Sequence, residues 1–207
     1  MKIIKRNGAE EIFDPQKIEA AITKRTKAIV VVHLYGIVAD MDPILKIAKK
    51  YKLAVVEDCA QCFGGVYKGK KAGTIGNVGC FSFCQSKHFT TGGEGGMVVT
   101  NDEDAGWECR SFRDHGYDVK TRMSMLALEE SLPYIHNRVG FNYRMTEIQS
   151  MIGLNELARF DNWNLALRLE YAAMYDKASS IAPAFGMVGT LVGLINMLKG
   201  MDLETGA

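Results

Sequence analysis

The stretch Gly79–Thr100, GCFSFCQSKHFTTGGEGGMVVT, joins a short apolar run, one lysine and a glycine-rich loop. Residues 79–84 alternate and are rich in aromatic side chains, which predicts a short strand. Lys87 follows on the turn just past this strand, and residues 90–96 contain too many glycines for a helix. A new strand is predicted from Met97. A lysine beside a loop whose backbone can approach a ligand closely suits Schiff-base chemistry with a carbonyl cofactor, and a solvated loop lysine is the alternative.

Two further strands are predicted upstream, with one helix between them. Residues 28–33 (AIVVVH) form a β-branched run that is typical of a buried strand. Asp42 and Pro43 predict the start of a helix that runs to about Tyr51, and residues 53–56 predict the next strand. A strand, a helix and a strand of these lengths predict a right-handed βαβ unit with parallel strands, so we expect an α/β fold. Ligands of such sheets bind outside the carboxyl ends of the strands.

Downstream, a helix is predicted from Asn101 to about Asp114, with Trp107 and Phe112 as core residues. Residues 117–138 show no clear period and are predicted to be irregular. Residues 145–177 show apolar side chains at roughly helical spacing, which predicts a long helix.

Composition and charge are ordinary for a globular protein. The 207 residues are 47% hydrophobic and 24% charged, and the net charge is +1. There is therefore no general electrostatic attraction to nucleic acid or to an anionic membrane surface. Residues 1–22 lack the apolar segment of a secretory signal. The odd number of cysteines, 5, argues against a disulfide framework and indicates a reducing compartment, so we expect a cytoplasmic protein.

Four of the cysteines come near the spacing of a zinc ribbon: Cys59, Cys62, Cys80 and Cys84. The second pair is separated by three residues instead of two, and it lies in an apolar strand where cysteine behaves as a small hydrophobe. We therefore predict no metal site. Zinc binding, or thioredoxin-like redox chemistry at the first pair, is the weaker alternative.

The segment Ser82–Lys87 (SFCQSK) and the TTGGEGG that follows resemble the cofactor-lysine segment of the DegT/DnrJ/EryC1/StrS sugar aminotransferases. These are pyridoxal-phosphate enzymes of fold type I. The resemblance runs from about residue 18 to about residue 177, with further motifs in the same order: KAIVVVHLYG at 27–36, ADMDPI at 39–44, VVEDCAQ at 55–61, RDHG at 113–116 and GFNYR at 140–144.

The resemblance implies roles for five side chains. Lys87 would form the Schiff base with the cofactor and then move the proton between the substrate carbon and the cofactor carbon. Asp58 would keep the pyridine ring protonated, Gln61 would lie near the ring hydroxyl, and Ser82 would hydrogen-bond the phosphate. Asn142 would reach the cofactor phosphate of a partner subunit, which implies a homodimer. Judged from the residues alone, helix capping is an open alternative for both Asp58 and Asn142.

The implied reaction is transamination of a nucleotide-linked keto sugar, with an amino acid such as glutamate as the donor. The alternative is a non-catalytic, truncated α/β fragment that keeps the motif without a complete cofactor site. The family's preceding segment, which supplies the phosphate cup and the aromatic side chain stacked on the pyridine, is not visible in the sequence. The family's smaller following domain is not visible either.

The two ends of the chain differ from the middle, and we expect three parts: residues 1–23, a partial aminotransferase large domain at 24–178, and residues 179–207. Residues 1–23 resemble the opening of an ATP-cone, a nucleotide-sensing module. Asn7–Gly8 predicts a hairpin turn, and Asp14 followed by proline predicts a helix start. Because the rest of that module is absent, we predict no ATP binding.

Residues 181–198 carry no charged side chain, and their length meets the lower limit for a membrane-spanning helix. Gly189 and Gly193 have the spacing of small residues that pack helices in membranes. The segment resembles a transmembrane stretch of flagellar stator and related proton-channel proteins. We expect an apolar helix here, with a buried helix as the alternative, and any membrane contact would pass through this segment alone.

Overall fold

This computed structural model describes residues 2–4, 10–12, 14–126 and 136–181. The chain divides into two compact units, Met1–Ala158 and Arg159–Ala207. The strands are β1 (Lys2–Ile4), β2 (Glu10–Ile12), β3 (Ala28–Val32), β4 (Ala54–Asp58), β5 (Val66–Tyr67), β6 (Lys70–Lys71), β7 (Val78–Ser82) and β8 (Gly96–Thr100). The helices are α1 (Pro15–Ala21), α2 (Met41–Tyr51), α3 (Glu103–Arg113), α4 (Val119–Leu126) and α5 (Glu147–Arg159). A π-helical segment (Phe160–Leu165) follows α5, and residues 166–181 are α-helical.

The central sheet has four strands in the order β3-β4-β7-β8. β3, β4 and β7 are parallel, and β8 runs antiparallel to β7. Val32 pairs with Asp58, and Asp58 pairs with Cys80, so three strands end at the same edge of the sheet. The predicted α/β class with a mostly parallel sheet is confirmed.

The core of this unit lies between α2 and the sheet. Met41, Ile44 and Ala48 recur at helical spacing and are buried against Val31 and Val55 of the two neighbouring strands. Burying a methionine, isoleucine or valine side chain contributes about 1.5–3 kcal/mol. The apolar stripe of the helix and the β-branched residues of the strands therefore hold the βαβ unit together.

The start of α2 corrects one prediction. The helix begins at Met41 with Asp40 at the N-cap position, and not at Asp42. Asp40 caps no backbone N–H; its carboxylate accepts a hydrogen bond of 2.6 Å from the Tyr67 hydroxyl. Pro43 is tolerated inside the first turn because the N–H groups there have no partner within a helix.

Close backbone packing joins the end of the β5–β6 hairpin to the sheet. Gly79 in β7 lies so near Gly73 that a Cβ on Gly79 would be 2.1 Å from the Gly73 carbonyl oxygen. A Cβ on Gly76 would likewise lie 2.8 Å from the Val55 carbonyl oxygen. Residues 73–76 therefore pack directly on two strands without intervening side chains.

The helix α3 is formed as predicted, with the Asp102 carboxylate accepting a hydrogen bond from the Ala105 N–H. The prediction that Trp107 and Phe112 are core residues is wrong, because neither is buried. The indole of Trp107 donates to Glu103 at 3.2 Å, and Phe112 lies edge-on to Phe141 at the surface.

The prediction that residues 117–138 are irregular is wrong in part, because α4 occupies Val119–Leu126. Asp118 explains where α4 begins. Its carboxylate accepts hydrogen bonds from the N–H of Thr121 at 3.0 Å and from the Thr121 hydroxyl at 2.6 Å. This capping is a local signal that a search for apolar periodicity passes over.

The long helix predicted from residue 145 is interrupted by the π-helical segment. A capping box sets its start: the Thr146 hydroxyl accepts from the Gln149 N–H, and the Gln149 side chain accepts from the Thr146 N–H. The apolar side chains that recur along α5 are largely exposed, since Ile148 and Leu154 are 75% and 62% exposed. The helix packs closely on the glycine-rich loop at Gly153, where a Cβ would lie 2.9 Å from the Thr91 methyl group.

At the N-terminus, β1 and β2 pair antiparallel as the predicted hairpin requires, although Asn7–Gly8 lies outside the described residues. The Asp14 carboxylate caps α1 by accepting from the Gln16 N–H at 2.9 Å, with Pro15 at the first helical position. The apolar segment 182–198 also lies outside the described residues. In the part of the chain that is described, none of the helices combines the length and the apolar character needed to cross a membrane.

Candidate active site

Two predicted cofactor-binding residues, Asp58 and Ser82, are the last residues of adjacent parallel strands. The register pairs Asp58 with Cys80, so β7 extends past the end of β4 and carries Ser82 beyond it. Adjacent strands lie about 4.8 Å apart. The carboxyl edge of the sheet is where an α/β protein binds its ligands, and both residues lie there.

The Asp58 side chain is half-buried and belongs to a turn. Its Oδ1 accepts a hydrogen bond of 3.0 Å from the Ala60 N–H, and residues 59–65 form turns. The alternative that Asp58 caps a helix is therefore wrong. One carboxylate oxygen has a backbone donor in the turn, and Oδ2 has no hydrogen-bond partner among the described residues.

Gln61 connects this turn to the turn that follows β3. The Gly36 N–H donates to the Gln61 carbonyl oxygen at 2.8 Å. Tyr35 and Gly36 both have positive φ, 54° and 79°, and make a tight reversal after the strand. The backbone thus joins the HLYG and EDCAQ motifs, which are separate in the sequence.

Lys87 lies on a turn that begins two residues past β7. Its backbone N–H donates to the Cys84 carbonyl oxygen at 3.0 Å, and the Cys84 N–H lies 3.4 Å from the Ser82 hydroxyl oxygen. The Lys87 side chain is half-buried. Within the described ranges, the Lys87 ammonium has neither an ion pair nor a hydrogen bond. The amine is therefore available to a ligand.

An aromatic cluster lies on both sides of the Lys87 turn: Phe63, Phe81, Phe83 and Phe89. The ring centroids of Phe83 and Phe89 are 4.6 Å apart, and Phe89 stacks on Phe63 at 4.9 Å. Phe83 and Phe89 are buried, four residues before and two residues after the lysine. The cluster therefore anchors both ends of the turn, a role that the spacing of these phenylalanines in the sequence does not reveal.

The glycine-rich loop folds back along the residues that follow β7. Phe83 donates its N–H to the Gly95 carbonyl oxygen at 2.8 Å, and Gln85 donates to the Gly93 carbonyl oxygen at 2.7 Å. Gly92 and Gly93 have φ of 88° and 140°, which are accessible to glycine and strained for other residues. The glycines allow the loop to return beside the lysine.

A buried hydrogen-bond network lies beneath this edge. His33 Nε2 and Glu57 Oε2 are 3.0 Å apart, and both side chains are 0% exposed. Glu57 also accepts from the N–H groups of Gly73, Ile75 and Gly76 at 2.8, 2.7 and 2.6 Å. Because His33 Nδ1 accepts from the Ala39 N–H at 3.2 Å, the proton of the neutral ring lies on Nε2 and is donated to Glu57. No sequence motif had indicated this role for Glu57.

Within the described ranges, one group of potential metal ligands lies within 4.8 Å of one another: His33, Glu57 and Cys59. The hydrogen bonds above already occupy the histidine nitrogens and the carboxylate. Burial, followed by the charge of Glu57, raises the pKa of Cys59 to about 12. Burial also raises the pKa of Cys62 and of Cys80. Because the thiolate is the reactive form of cysteine, these raised pKa values give no support to thioredoxin-like redox chemistry at Cys59 and Cys62, and zinc binding stays an untested alternative.

Asn142 lies in a separate part of the unit, beside the end of α3. It forms a backbone bridge with Asp114, which brings the GFNYR and RDHG motifs together. Its side-chain Oδ1 accepts from Arg144 Nε at 3.2 Å, and the helix cap nearby is Thr146. The alternative that Asn142 caps α5 is therefore wrong. Within the described ranges, no hydrogen bond joins Asn142 to Asp58, Ser82 or Lys87.

The chain matches the model of the DegT/DnrJ/EryC1/StrS aminotransferase family over residues 7–188. It is 46% identical over 165 residues to the GDP-perosamine synthase of Caulobacter vibrioides, which covers 80% of this chain and 41% of that protein. The structure of an aminotransferase from Psychrobacter cryohalolentis aligns with a TM-score of 0.65 and 44% identity over 72% of this chain and 38% of that one.

A GDP-4-keto-6-deoxy-D-mannose-3-dehydratase of Escherichia coli, solved with bound hydrated PLP, aligns with a TM-score of 0.61 and 30% identity. The alignment covers 72% of this chain and 39% of that one. The chain therefore spans less than half the length of these relatives. The likenesses of the two ends to an ATP-cone and to a stator segment stay predictions. The family match confirms the central resemblance: the chain belongs to the DegT/DnrJ/EryC1/StrS aminotransferase family, and this membership implies pyridoxal phosphate as the cofactor.

Proposed function

We propose that this chain carries the cofactor lysine of an aminotransferase that acts on a nucleotide-linked keto sugar, with an amino acid such as glutamate as the donor. One observation carries the proposal. Lys87 is a half-buried residue just past the strand that ends beside Asp58, and its ammonium has no ion-pair partner in the described part of the chain. A structural lysine in such a position would be expected to pair with an acid.

The residues present fit pyridoxal phosphate. Lys87 offers the amine that would hold the cofactor covalently, and the Ser82 hydroxyl offers a donor for its phosphate. Asp58 offers a carboxylate with one oxygen still without a donor among the described residues. Gln61 lies on the turn after Asp58, as a residue beside the ring hydroxyl would. When bound, the cofactor supplies an electron sink for the charge left on the substrate carbon.

Lys87 would have two tasks. Its Nζ would hold the cofactor until the amino donor takes its place. The freed Nζ would then accept the proton from the substrate carbon and deliver it to the cofactor carbon. The aromatic cluster that anchors the turn supports this assignment, since a base must return to the same place in each half-reaction. Asp58, as a fixed anion, would keep the ring nitrogen protonated throughout.

The substrate class rests on the relatives. The Caulobacter vibrioides relative is a GDP-perosamine synthase, and others are a dTDP-3-amino-3,6-dideoxy-alpha-D-galactopyranose transaminase and a UDP-2-acetamido-2-deoxy-3-oxo-D-glucuronate aminotransferase. These names share a nucleoside diphosphate and an amino sugar and differ in the base. We therefore propose the class of substrate and leave the base open.

A homodimer is part of the proposal. The α5 helix exposes a row of large apolar side chains: Ile148, Met151, Leu154 and Leu157. Contiguous exposed apolar side chains mark a surface for another protein. A second copy that covered this row could bring its Asn142 to the cofactor phosphate, as the family resemblance implies. A cytoplasmic location stays a prediction.

A non-catalytic fragment is the second candidate, because the chain spans less than half the length of its relatives. The deciding experiment is to add pyridoxal phosphate to the purified chain, record the absorbance spectrum, reduce with borohydride and map the labelled peptide. We expect a visible band and label on Lys87. Lys87→Ala should abolish both, whereas Lys70→Ala, at an exposed hairpin lysine, should change neither. Label scattered over surface lysines would favour the fragment.

A further inference from the structure

The backbone of residues 141–144 is fixed against the end of α3. The Phe141 N–H donates to the Phe112 carbonyl oxygen at 2.8 Å, and the Tyr143 N–H donates to the Arg113 carbonyl oxygen at 2.9 Å. The His115 N–H donates back to the Phe141 carbonyl oxygen at 3.0 Å. Asn142 therefore projects from a backbone with little freedom, and its side-chain torsions decide what it presents.

Arg144 determines which end of the Asn142 amide points outward. Its Nε lies 3.2 Å from Asn142 Oδ1. A guanidinium only donates hydrogen bonds, so the amide oxygen must face Arg144 and the Nδ2 group must face away. The exposed end of the amide is therefore a donor, which is what a phosphate oxygen needs.

The guanidinium is itself held in place by the RDHG motif. Its Nη1 lies 3.3 Å from Asp114 Oδ1 in an ion pair, and its Nη2 lies 3.5 Å from His115 Nε2. All three guanidinium nitrogens thus have partners in the same chain. An arginine engaged in this way is arranged to orient Asn142, and its guanidinium is not free to bind an anion itself.

We propose that Arg144 is a positioning residue, which sets the Asn142 amide so that Nδ2 donates to the cofactor phosphate of a second copy of the chain. This inference rests on the proposed function, in which Asn142 contacts that phosphate. In this proposal the RDHG motif has a structural task. Asp114 and His115 hold Arg144 in place, and Arg144 in turn orients the Asn142 amide.

The first test needs no cofactor. The side-chain amide signals of Asn142 are identified by NMR through their loss in Asn142→Ala, and ¹⁵N relaxation then reports how rigid the amide is. We expect the amide order parameter to fall below about 0.6 in Arg144→Met. Arg110→Met, which removes an exposed arginine of α3 that stacks on Trp107, should leave it unchanged. An unchanged order parameter in Arg144→Met would overturn the inference.

The second test is a double-mutant cycle on the dissociation constant for pyridoxal phosphate, measured by fluorescence. We expect Asn142→Ala and Arg144→Met each to weaken binding by about tenfold, and the double variant to be no weaker than Asn142→Ala. If the loss of affinity in the double variant equalled the product of the two single losses, Arg144 would contact the phosphate itself. That result would overturn the positioning role and leave the proposed function standing. If Arg144→Met fails to fold, Arg144→Lys replaces it in the cycle. The lysine keeps one hydrogen-bond donor, so its loss of affinity should be smaller than tenfold.

The two tests separate the two claims. If the unsubstituted chain bound no pyridoxal phosphate, the proposed function would fall, and the role of Arg144 toward a phosphate would fall with it. If the chain bound the cofactor and the order parameter of Asn142 did not depend on Arg144, the proposed function would stand and only the positioning role would be lost.

Discussion

His33 and Glu57 form a completely buried pair, 3.0 Å apart, at the ends of two adjacent parallel strands. The pair does not stand alone, since the same carboxylate binds three backbone N–H groups of the segment 73–76. One side chain thus ties β3, β4 and the segment before β7 together, directly beside Asp58. Substitution of Glu57 should therefore change both the free energy of unfolding and the pH dependence of that free energy.

Glu57→Gln should lower the free energy of unfolding by about 2–3 kcal/mol, because an amide NH₂ would face backbone donors where a carboxylate oxygen now accepts. Urea unfolding followed by circular dichroism measures this. Glu19→Gln is the matched control, since Glu19 forms a surface ion pair with Lys50, and its loss should cost less than about 0.5 kcal/mol. Equal effects of the two substitutions would contradict the network.

The pH dependence of stability should carry the signature of Glu57. Burial acts to raise the pKa of its carboxyl, but hydrogen bonds from His33 and the backbone N–H groups of Gly76, Gly73 and Ile75 outweigh burial and lower it. A lowered pKa stabilises the fold above the unfolded value of 4.5, and this stabilisation is lost as the pH falls through the folded pKa.

We therefore expect the free energy of unfolding to decrease with acidification below about pH 4.5, and to decrease less steeply in Glu57→Gln. Urea titrations between pH 3 and 7 measure both slopes. Parallel curves for the two proteins would show that other carboxyls account for the acid sensitivity.

Gly79→Ala should destabilise the sheet unit by about 3 kcal/mol, because the new Cβ would lie 2.1 Å from the Gly73 carbonyl oxygen and the backbone must move. Gly106→Ala in α3 is the control: its Cβ would meet the Thr100 methyl group at an ordinary 3.8 Å, and alanine favours a helix. In thermal unfolding the melting temperature should be highest for Gly106→Ala, intermediate for the unsubstituted chain and lowest for Gly79→Ala. Any other order would count against this packing.

Thr146→Ala should cost about 1 kcal/mol, since it removes the hydroxyl that accepts from the Gln149 N–H at the start of α5. Thr146→Ser keeps that hydroxyl and should behave like the unsubstituted chain. The difference is measured by urea unfolding, with the helical circular dichroism signal as the probe. A serine variant as unstable as the alanine variant would locate the effect in the threonine methyl group.

Asp58→Asn tests the assignment of the ring partner. If the carboxylate keeps the cofactor ring protonated, its neutral isostere should reduce transamination by about 10²- to 10³-fold while Lys87 still takes up the label. Single-turnover absorbance with the amino donor gives the rate. Asp42→Asn removes an exposed acid paired with Lys68 and should leave the rate unchanged. A small effect of Asp58→Asn would remove Asp58 from the chemistry.

Local pattern was sufficient for the βαβ unit and for the position of its lysine. The β-branched run of β3 and the apolar spacing of α2 each determine one element, and right-handed crossover then makes the strands parallel. Parallel strands end at one edge, so the sequence predicted ligand binding beyond the ends of β3 and β4, next to Asp58. The fold added that β7 lies parallel beside β4 and carries Ser82 to the same edge. The glycines after Lys87 predicted the returning loop, because few other residues reach positive φ at low cost.

Contacts between distant segments decided the rest. Apolar periodicity predicted a stripe on α5 but not what covers it, and in this chain most of the stripe lies open. The roles of Glu57 and Arg144 depend on contacts far along the chain. Glu57 binds the backbone of residues 73–76, and Arg144 pairs with Asp114. The physical reason is that helical and strand periods are local, whereas a buried carboxylate or a fixed guanidinium is defined by partners far along the chain, which only tertiary packing supplies.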